Sequence, residues 1–231
     1  MSRILITGAS RGLGLEFTRQ YLADGWEVIA ACRNPGAAEG LRRLAESVKD
    51  SLTVVAMDVA DSASVQRAAA RLQVPAIDIL INSAGVFGGE GQRLGSLDYH
   101  DWMQVLEVNL LGPARVCEAF LDRIGRSEHR LIVTITSGMG SLSDNTSGGS
   151  VLYRTSKAAV NMLMRTAAID LAPQRISCVL LNPGWVKTDM GGPNAKISAA
   201  ESVGAMRRVI SRLGPQDSGR FYNRDGREYP W

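Results

Sequence analysis

A glycine-rich turn near the start of the chain, Gly8-Ala9-Ser10-Arg11-Gly12-Leu13-Gly14, constrains the fold more than any other feature. It follows the β-rich run Ile4-Leu5-Ile6 and opens a segment, Leu13 to Leu22, whose apolar residues recur at helical spacing. A strand–turn–helix of this kind lets backbone approach a pyrophosphate, and the helix N-terminus supplies free N–H groups and positive potential. The spacing is G-x-x-x-G-x-G rather than the commoner G-x-G-x-x-G, so the pattern alone also fits a plain strand-to-helix connection. Its position at the first strand of an alternating chain selects the dinucleotide reading.

The alternation runs to the end of the sequence. Strands are predicted over Val28 to Ala31, Leu52 to Met57, Ile77 to Ile81, Leu131 to Ile135, Ile176 to Leu181 and at Phe221-Tyr222. Helices are predicted over Leu41 to Val48, from an Asp61 or Ser62 cap through Leu72, over Tyr153 to Leu171 and over Ala199 to Leu213. Leu97 to Ile124 reads as one long helix with a kink at Gly112-Pro113. Strands that are apolar without alternation are buried on both faces, as in a parallel sheet between helices. The expected fold is α/β: a single Rossmann-type doubly wound domain over residues 1–231, its mainly parallel sheet of about seven strands flanked by helices on both faces. The loops Gly138 to Ser150 and Gly184 to Ser198 follow strand ends, where binding loops belong.

Composition removes several function classes. At 231 residues and 45% hydrophobic, the chain has enough apolar material for a core that needs no staple. A formal net charge of +3 with scattered basic residues gives no nucleic-acid patch. The densest pairs, Arg42-Arg43 and Arg207-Arg208, read as solvated helix faces. Cys32, Cys117 and Cys178 have no metal-type spacing and read as buried free thiols, and His100 and His129 as isolated surface residues, so no metal site is expected. No run is long enough to span a membrane, and no signal-peptide pattern opens the chain. Together these point to a cytoplasmic protein.

Two features carry chemistry. The second strand ends at Ala31-Cys32-Arg33, with no acidic residue to hold a ribose 2′-hydroxyl. Arg33, with Arg11 in the glycine loop, suits a 2′-phosphate instead, which favours NADP over NAD. Tyr153 and Lys157 are four apart on a helix and share a face. A free phenol titrates near ~10, and a neighbouring ammonium is expected to lower it toward a useful acid/base range. Hydride delivered to a carbonyl carbon leaves an alkoxide, to which Tyr153 can give a proton. Ser137, just past the strand Leu131 to Ile135, can hydrogen-bond the same oxygen.

With these residues in view, the chain resembles the short-chain dehydrogenase/reductase family over nearly its whole length. Thr7-Gly8-x-x-x-Gly12-x-Gly14 resembles the family's cofactor loop, and Asp58-Val59 the pair whose acid contacts the adenine. Asn82-Ser83-Ala84-Gly85 resembles its Asn-Asn-Ala-Gly motif, with serine in place of the second asparagine. Pro183-Gly184-Trp185-Val186-Lys187-Thr188 resembles the segment that contacts the nicotinamide. The resemblance implies a catalytic set of Asn109, Ser137, Tyr153 and Lys157, with Asn109 holding a proton-relay water and Lys157 also holding the ribose hydroxyls. It implies cofactor contacts from Gly8, Ser10, Arg11, Gly12, Leu13, Gly14, Arg33, Asp58, Val59, Asn82, Ala84, Gly85, Pro183, Gly184, Val186 and Thr188. The Ser137–Tyr153 interval is longer than the family's usual one, through Asp144 to Gly149, and the segment after Thr188 is short. With the Tyr222…Pro230-Trp231 ending, these features are similar to a compact branch of C-factor-type proteins and small NADPH carbonyl reductases.

The expected activity is NADPH-dependent reduction of an aldehyde or ketone to an alcohol, with Tyr153 as general acid. The alternative is a C-factor-like signalling protein that binds cofactor and turns over little. Phe87, Leu142 and Trp185 each follow a strand end beside a motif, where they either line an apolar substrate pocket or simply pack. Trp102 and Phe120 read as core or interface residues. The family pairs its two long helices across subunits, so a homodimer or homotetramer is expected.

Overall fold

The computed structural model describes residues 1–48, 50–90 and 92–231. Among them one sheet carries β1 (Arg3–Thr7), β2 (Glu27–Cys32), β3 (Leu52–Ala56), β4 (Ile79–Asn82), β5 (Leu131–Ile135), β6 (Ser177–Asn182) and β7 (Phe221–Asn223). The spatial order is β3-β2-β1-β4-β5-β6-β7, and every neighbouring pair is parallel. The chain winds outward from β1 to β3 and then returns to add β4 on the other side of β1. That reversal leaves a crevice beyond the carboxyl ends of β1 and β4, where ligands bind in such sheets.

Among the described residues seven α-helices cover the sheet: α1 (Gly12–Ala23), α2 (Glu39–Ser47), α3 (Ser62–Arg71), α4 (Tyr99–Leu106), α5 (Gly112–Gly125), α6 (Val151–Asp170) and α7 (Ala199–Ile210). Successive strand residues point to opposite faces, and each face has its own core. Ile4, Ile6, Val28, Ile79, Val133 and Leu181 meet Phe17, Leu41, Val203 and Met206 of α1, α2 and α7. Leu5, Ile29, Leu80, Ile132 and Leu180 meet Val65, Val116, Phe120, Val160 and Met164 of α3, α5 and α6. Two-faced burial explains why these strands are apolar without alternation. Edge strand β3 is only half-buried, and its Thr53 faces solvent.

The region expected as one helix from Leu97 to Ile124 is divided. The Asp98 carboxylate accepts from the N–H groups of His100 and Asp101 at 2.9 and 3.1 Å, so α4 starts at Tyr99. Glu107–Leu111 then forms a π-helical turn that joins α4 to α5. Gly112-Pro113 is not a kink but the start of α5, where a proline's missing N–H matters least. A Cβ on Gly112 would stand 2.9 Å from Val59 Cγ2, so glycine lets α5 pack against the β3–α3 turn. Other boundaries move by a few residues: α6 begins at Val151 and α7 ends at Ile210.

Arg42 and Arg43 are solvated and pair with Glu39 and Glu46. Arg207 departs from that expectation. It pairs with Asp24, and its guanidinium lies 4.5 Å over the Tyr21 ring, joining α7 to α1. The three cysteines are free, Cys32 and Cys178 buried and Cys117 partly exposed. Among the described residues no helix is long and apolar enough to cross a membrane, and no group of three or more His, Cys, Asp or Glu is clustered as metal ligands are.

Candidate active site

A cleft of about 1030 Å³ opens at the carboxyl ends of the strands. Its floor on one side is the glycine turn. Gly8 and Gly12 have positive φ, +67° and +55°, which L side chains rarely adopt. A Cβ on Gly8 would stand 2.7 Å from the Ala84 Cα, and one on Gly14 would overlap the Gly8 carbonyl oxygen. The turn is therefore bare backbone packed on itself and on Ala84, and a side chain at Gly8 or Gly14 would force it apart. Among the described residues no side chain caps α1, so its first-turn amides are left for a ligand. These features fit a dinucleotide pyrophosphate.

Other elements complete that half. The Thr7 hydroxyl accepts from the Ser83 and Ala84 N–H groups at 3.0 and 3.2 Å, fixing the Asn82–Gly85 turn beside the glycine turn. Ser10, Leu13, Asp58, Val59, Ala84 and Gly85 all line the cleft, as do Pro183, Gly184, Val186 and Thr188. The Asp58 carboxylate accepts from Ala60 N–H at 3.0 Å. Arg33 lines the cleft at the end of β2 and forms no ion pair among the described residues. Arg11 pairs with Asp189 at 3.0 Å, both largely exposed. Asn82 does not line the cleft. It is buried beneath it, and its amide nitrogen lies 3.4 Å from Thr134 Oγ1.

The other half is built on β5, α6 and the π turn. Ser137 follows β5, and its Oγ accepts from Met139 N–H at 3.1 Å, which leaves the hydroxyl hydrogen free to donate. Tyr153 and Lys157 lie on one face of α6, both buried and both in the cleft wall. Burial pushes the Tyr153 phenol up to about 12, and a hydrogen bond with Ser137 opposes this only in part. In this cleft burial outweighs the lowering expected from Lys157. The lysine is itself desolvated, its own titration pushed down to about 8, and its Nζ donates to the Ile135 carbonyl at 3.1 Å. Nζ stands 5.7 Å from the centre of the Tyr153 ring.

Asn109 sits in the π turn and is buried. Its Oδ1 accepts from Val86 N–H at 2.9 Å, and its Nδ2 donates to the Val86 carbonyl at 2.8 Å and to Ser156 Oγ at 3.0 Å. A Cβ on Gly85 would be 3.3 Å from Asn109 Oδ1 and 3.7 Å from Lys157 Nζ, so both groups close on Gly85 at the cleft wall. Phe87 lines the cleft with its ring centre 4.8 Å from that of Tyr153. Trp185 also lines it, half-exposed, with its indole N–H on the Gly191 carbonyl at 2.8 Å. Leu142 does not: it is 77% exposed and outside the cleft wall, because the loop after β5 turns it outward.

Several site residues have no signal in the sequence. Buried Gln92 donates to the Phe87 and Gly89 carbonyls, while its own oxygens accept from Val151 and Tyr153 N–H. It caps α6 from a distant loop and so aims Tyr153. The Asn182 Oδ1 accepts from Gly138 and Gly184 N–H at 3.1 and 3.2 Å, tying the Ser137 loop to the loop after β6. Met139, Asp144, Arg154 and Tyr229 also line the cleft.

The family model described as short chain dehydrogenase matches residues 2–198. The chain belongs to the short-chain dehydrogenase family. Among its relatives, the protein named C-signal from Myxococcus xanthus is 48% identical over 155 residues, 67% of this chain and 93% of that one. The 1-hydroxy-2-glutathionyl-2-methyl-3-butene dehydrogenase of Rhodococcus sp. (strain AD45) is 36% identical over 238 residues, the full length of both. The crystal structure of NADPH-bound carbonyl reductase from chicken fatty liver superposes with a TM-score of 0.93 at 35% identity, covering 100% of this chain and 99% of that one. The doubly wound sheet is thus the short-chain dehydrogenase fold.

Proposed function

We propose that residues 1–231 form one catalytic unit, an NADPH-dependent reductase of aldehydes or ketones. One observation supports this most strongly: Tyr153, Ser137 and Lys157 share a cleft with the bare glycine cradle. When bound, the reduced nicotinamide supplies a hydride to the carbonyl carbon. The Ser137 O–H donates to the carbonyl oxygen and polarises it. As the C=O π pair moves onto that oxygen, Tyr153 releases its Oη proton to it, leaving an alcohol and a phenolate. A phenol held near 12 stays protonated at neutral pH, as a proton donor for reduction must. Lys157, near the phenolate, balances the charge that forms there. Asn109 holds the 86–87 segment against α6 and supports proton resupply.

Arg33 without an acidic partner among the described residues, and no carboxylate at the end of β2, support NADP over NAD. The NADPH named in the chicken structure is in keeping with this. Phe87 and Trp185 give the substrate an apolar wall. The similarity to the protein named C-signal supports a second reading, a signalling protein that binds cofactor and turns over little. The test is NADPH and NADH oxidation over a panel of aldehydes, ketones and diketones. We expect consumption with NADPH at least about tenfold more efficient than with NADH, and Arg33→Ala to erase that preference. Equal use of both cofactors would reject the NADP assignment, and no consumption with any carbonyl would favour the second reading.

A further inference from the structure

The substrate side of the cleft carries a cation that carbonyl reduction itself does not use. Arg154 follows Tyr153 on α6 and lines the cleft. Its guanidinium donates to three neutral oxygens: Gly149 O at 3.1 Å, Ser147 Oγ at 2.8 Å and, at the long distance of 3.5 Å, Met139 O. A guanidinium has five N–H groups, so two are left without a protein acceptor. Among the described residues no carboxylate pairs with it. Asp144, the acid of the same wall, accepts from the Tyr229 hydroxyl at 2.7 Å instead.

A second guanidinium stands behind the first. Arg93 lies against Gly149, its Nη2 3.6 Å and its Cζ 3.7 Å from where a Cβ on Gly149 would be. Gly149 is therefore flanked by Arg93 and accepts from Arg154. Arg93 also forms no ion pair among the described residues. Of the two charged residues in this wall, Asp144 is engaged by Tyr229 and Arg154 keeps free donors, while exposed Arg93 stands outside the lining, behind Gly149. The wall is close to the reacting oxygen's partners, because Met139, which Arg154 reaches, gives its N–H to Ser137 Oγ. A half-buried guanidinium with free donors binds a planar oxoanion in two-point fashion.

We infer that Arg154, backed by Arg93, binds a carboxylate on the substrate, so that this enzyme prefers short-chain oxo acids to neutral ketones of the same shape. The inference rests on the reductase reading above for its substrate end but not for its anion site. The test compares levulinate with methyl levulinate, and their homologues longer by one and two methylenes, using NADPH and the full chain. The acid is expected to exceed its ester in kcat/KM by about tenfold for at least one chain length, the worth of one charge-assisted pair. Added salt should raise KM for the acid and leave that of the ester alone. Arg154→Gln should collapse the acid-to-ester ratio, Arg154→Lys should keep part of it, and Arg93→Gln should lower it by about threefold. An Arg154 that only holds its loop predicts that Arg154→Gln lowers acid and ester alike, which would overturn the inference. So would a wild-type preference for every ester. If neither substrate consumes NADPH, the reductase reading is decided by the carbonyl panel above, and levulinate binding to the NADPH complex, read by nucleotide fluorescence, decides the anion site separately. Binding that Arg154→Gln abolishes supports the site, and absent or unaltered binding overturns it.

Discussion

Lys157 concentrates the electrostatic cost of this site in one residue. Its ammonium is sealed from water beside Tyr153 with a carbonyl as its only hydrogen-bond partner among the described residues. In the unfolded chain it keeps its proton to about 10.5, whereas burial releases it near 8 in the folded protein. Between those pH values the unfolded state binds more protons, so Lys157 makes unfolding harder as pH rises. The gain is on the order of 3 kcal/mol across the interval. Other groups titrate there too, so the quantity to measure is the difference between wild type and Lys157→Met. Urea melts from pH 7.5 to 10 should show wild type gaining on the variant as pH rises; a constant difference would mean that the ammonium is not desolvated. The Tyr153–Lys157 spacing was legible because helical periodicity alone brings residues four apart together. The state of the pair was not, because desolvation depends on what the rest of the fold lays over it. Leu142 shows the same limit: its sequence neighbours suit a pocket, yet the chain turns it to solvent.

At the scale of elements, the π turn is the feature that sequence periodicity could not show. Glu107–Leu111 holds Asn109 with three side-chain bonds, two of them to Val86, 23 residues away in the chain. An apolar pattern read along Leu97 to Ile124 is continuous through it, and the segment at Val86 to which Asn109 bonds lies outside that pattern. Removing the amide should orphan both Val86 backbone groups. Asn109→Ala is expected to cost about 1–3 kcal/mol in urea unfolding and to loosen the 85–88 segment in hydrogen exchange. An unchanged midpoint with unchanged protection at Val86 would show that the turn is held by something else. Gln92 is the same lesson from the other side of the cleft: a polar residue in a glycine-rich loop that caps a helix 59 residues on. Strands and glycine turn, by contrast, were legible because two-faced burial and backbone clearance impose residue types directly.

At the scale of the whole molecule, the two long helical regions leave apolar side chains in solvent. Tyr99 and Met103 on α4 and Met162 and Ile169 on α6 are each more than half exposed. We propose that they pair across copies of the chain, and light scattering should give the mass of a homodimer or homotetramer; a monomer at micromolar concentration would refute this. The account as a whole joins a nucleotide cradle to a proton donor in one cleft, and one variant separates them. Tyr153→Phe keeps the ring against Phe87 and removes only the hydroxyl. NADPH oxidation with the best carbonyl of the panel should fall by at least about 10²-fold while the NADPH dissociation constant stays within about twofold. A Tyr153→Phe protein that reduces the same carbonyl at the wild-type rate would contradict the account.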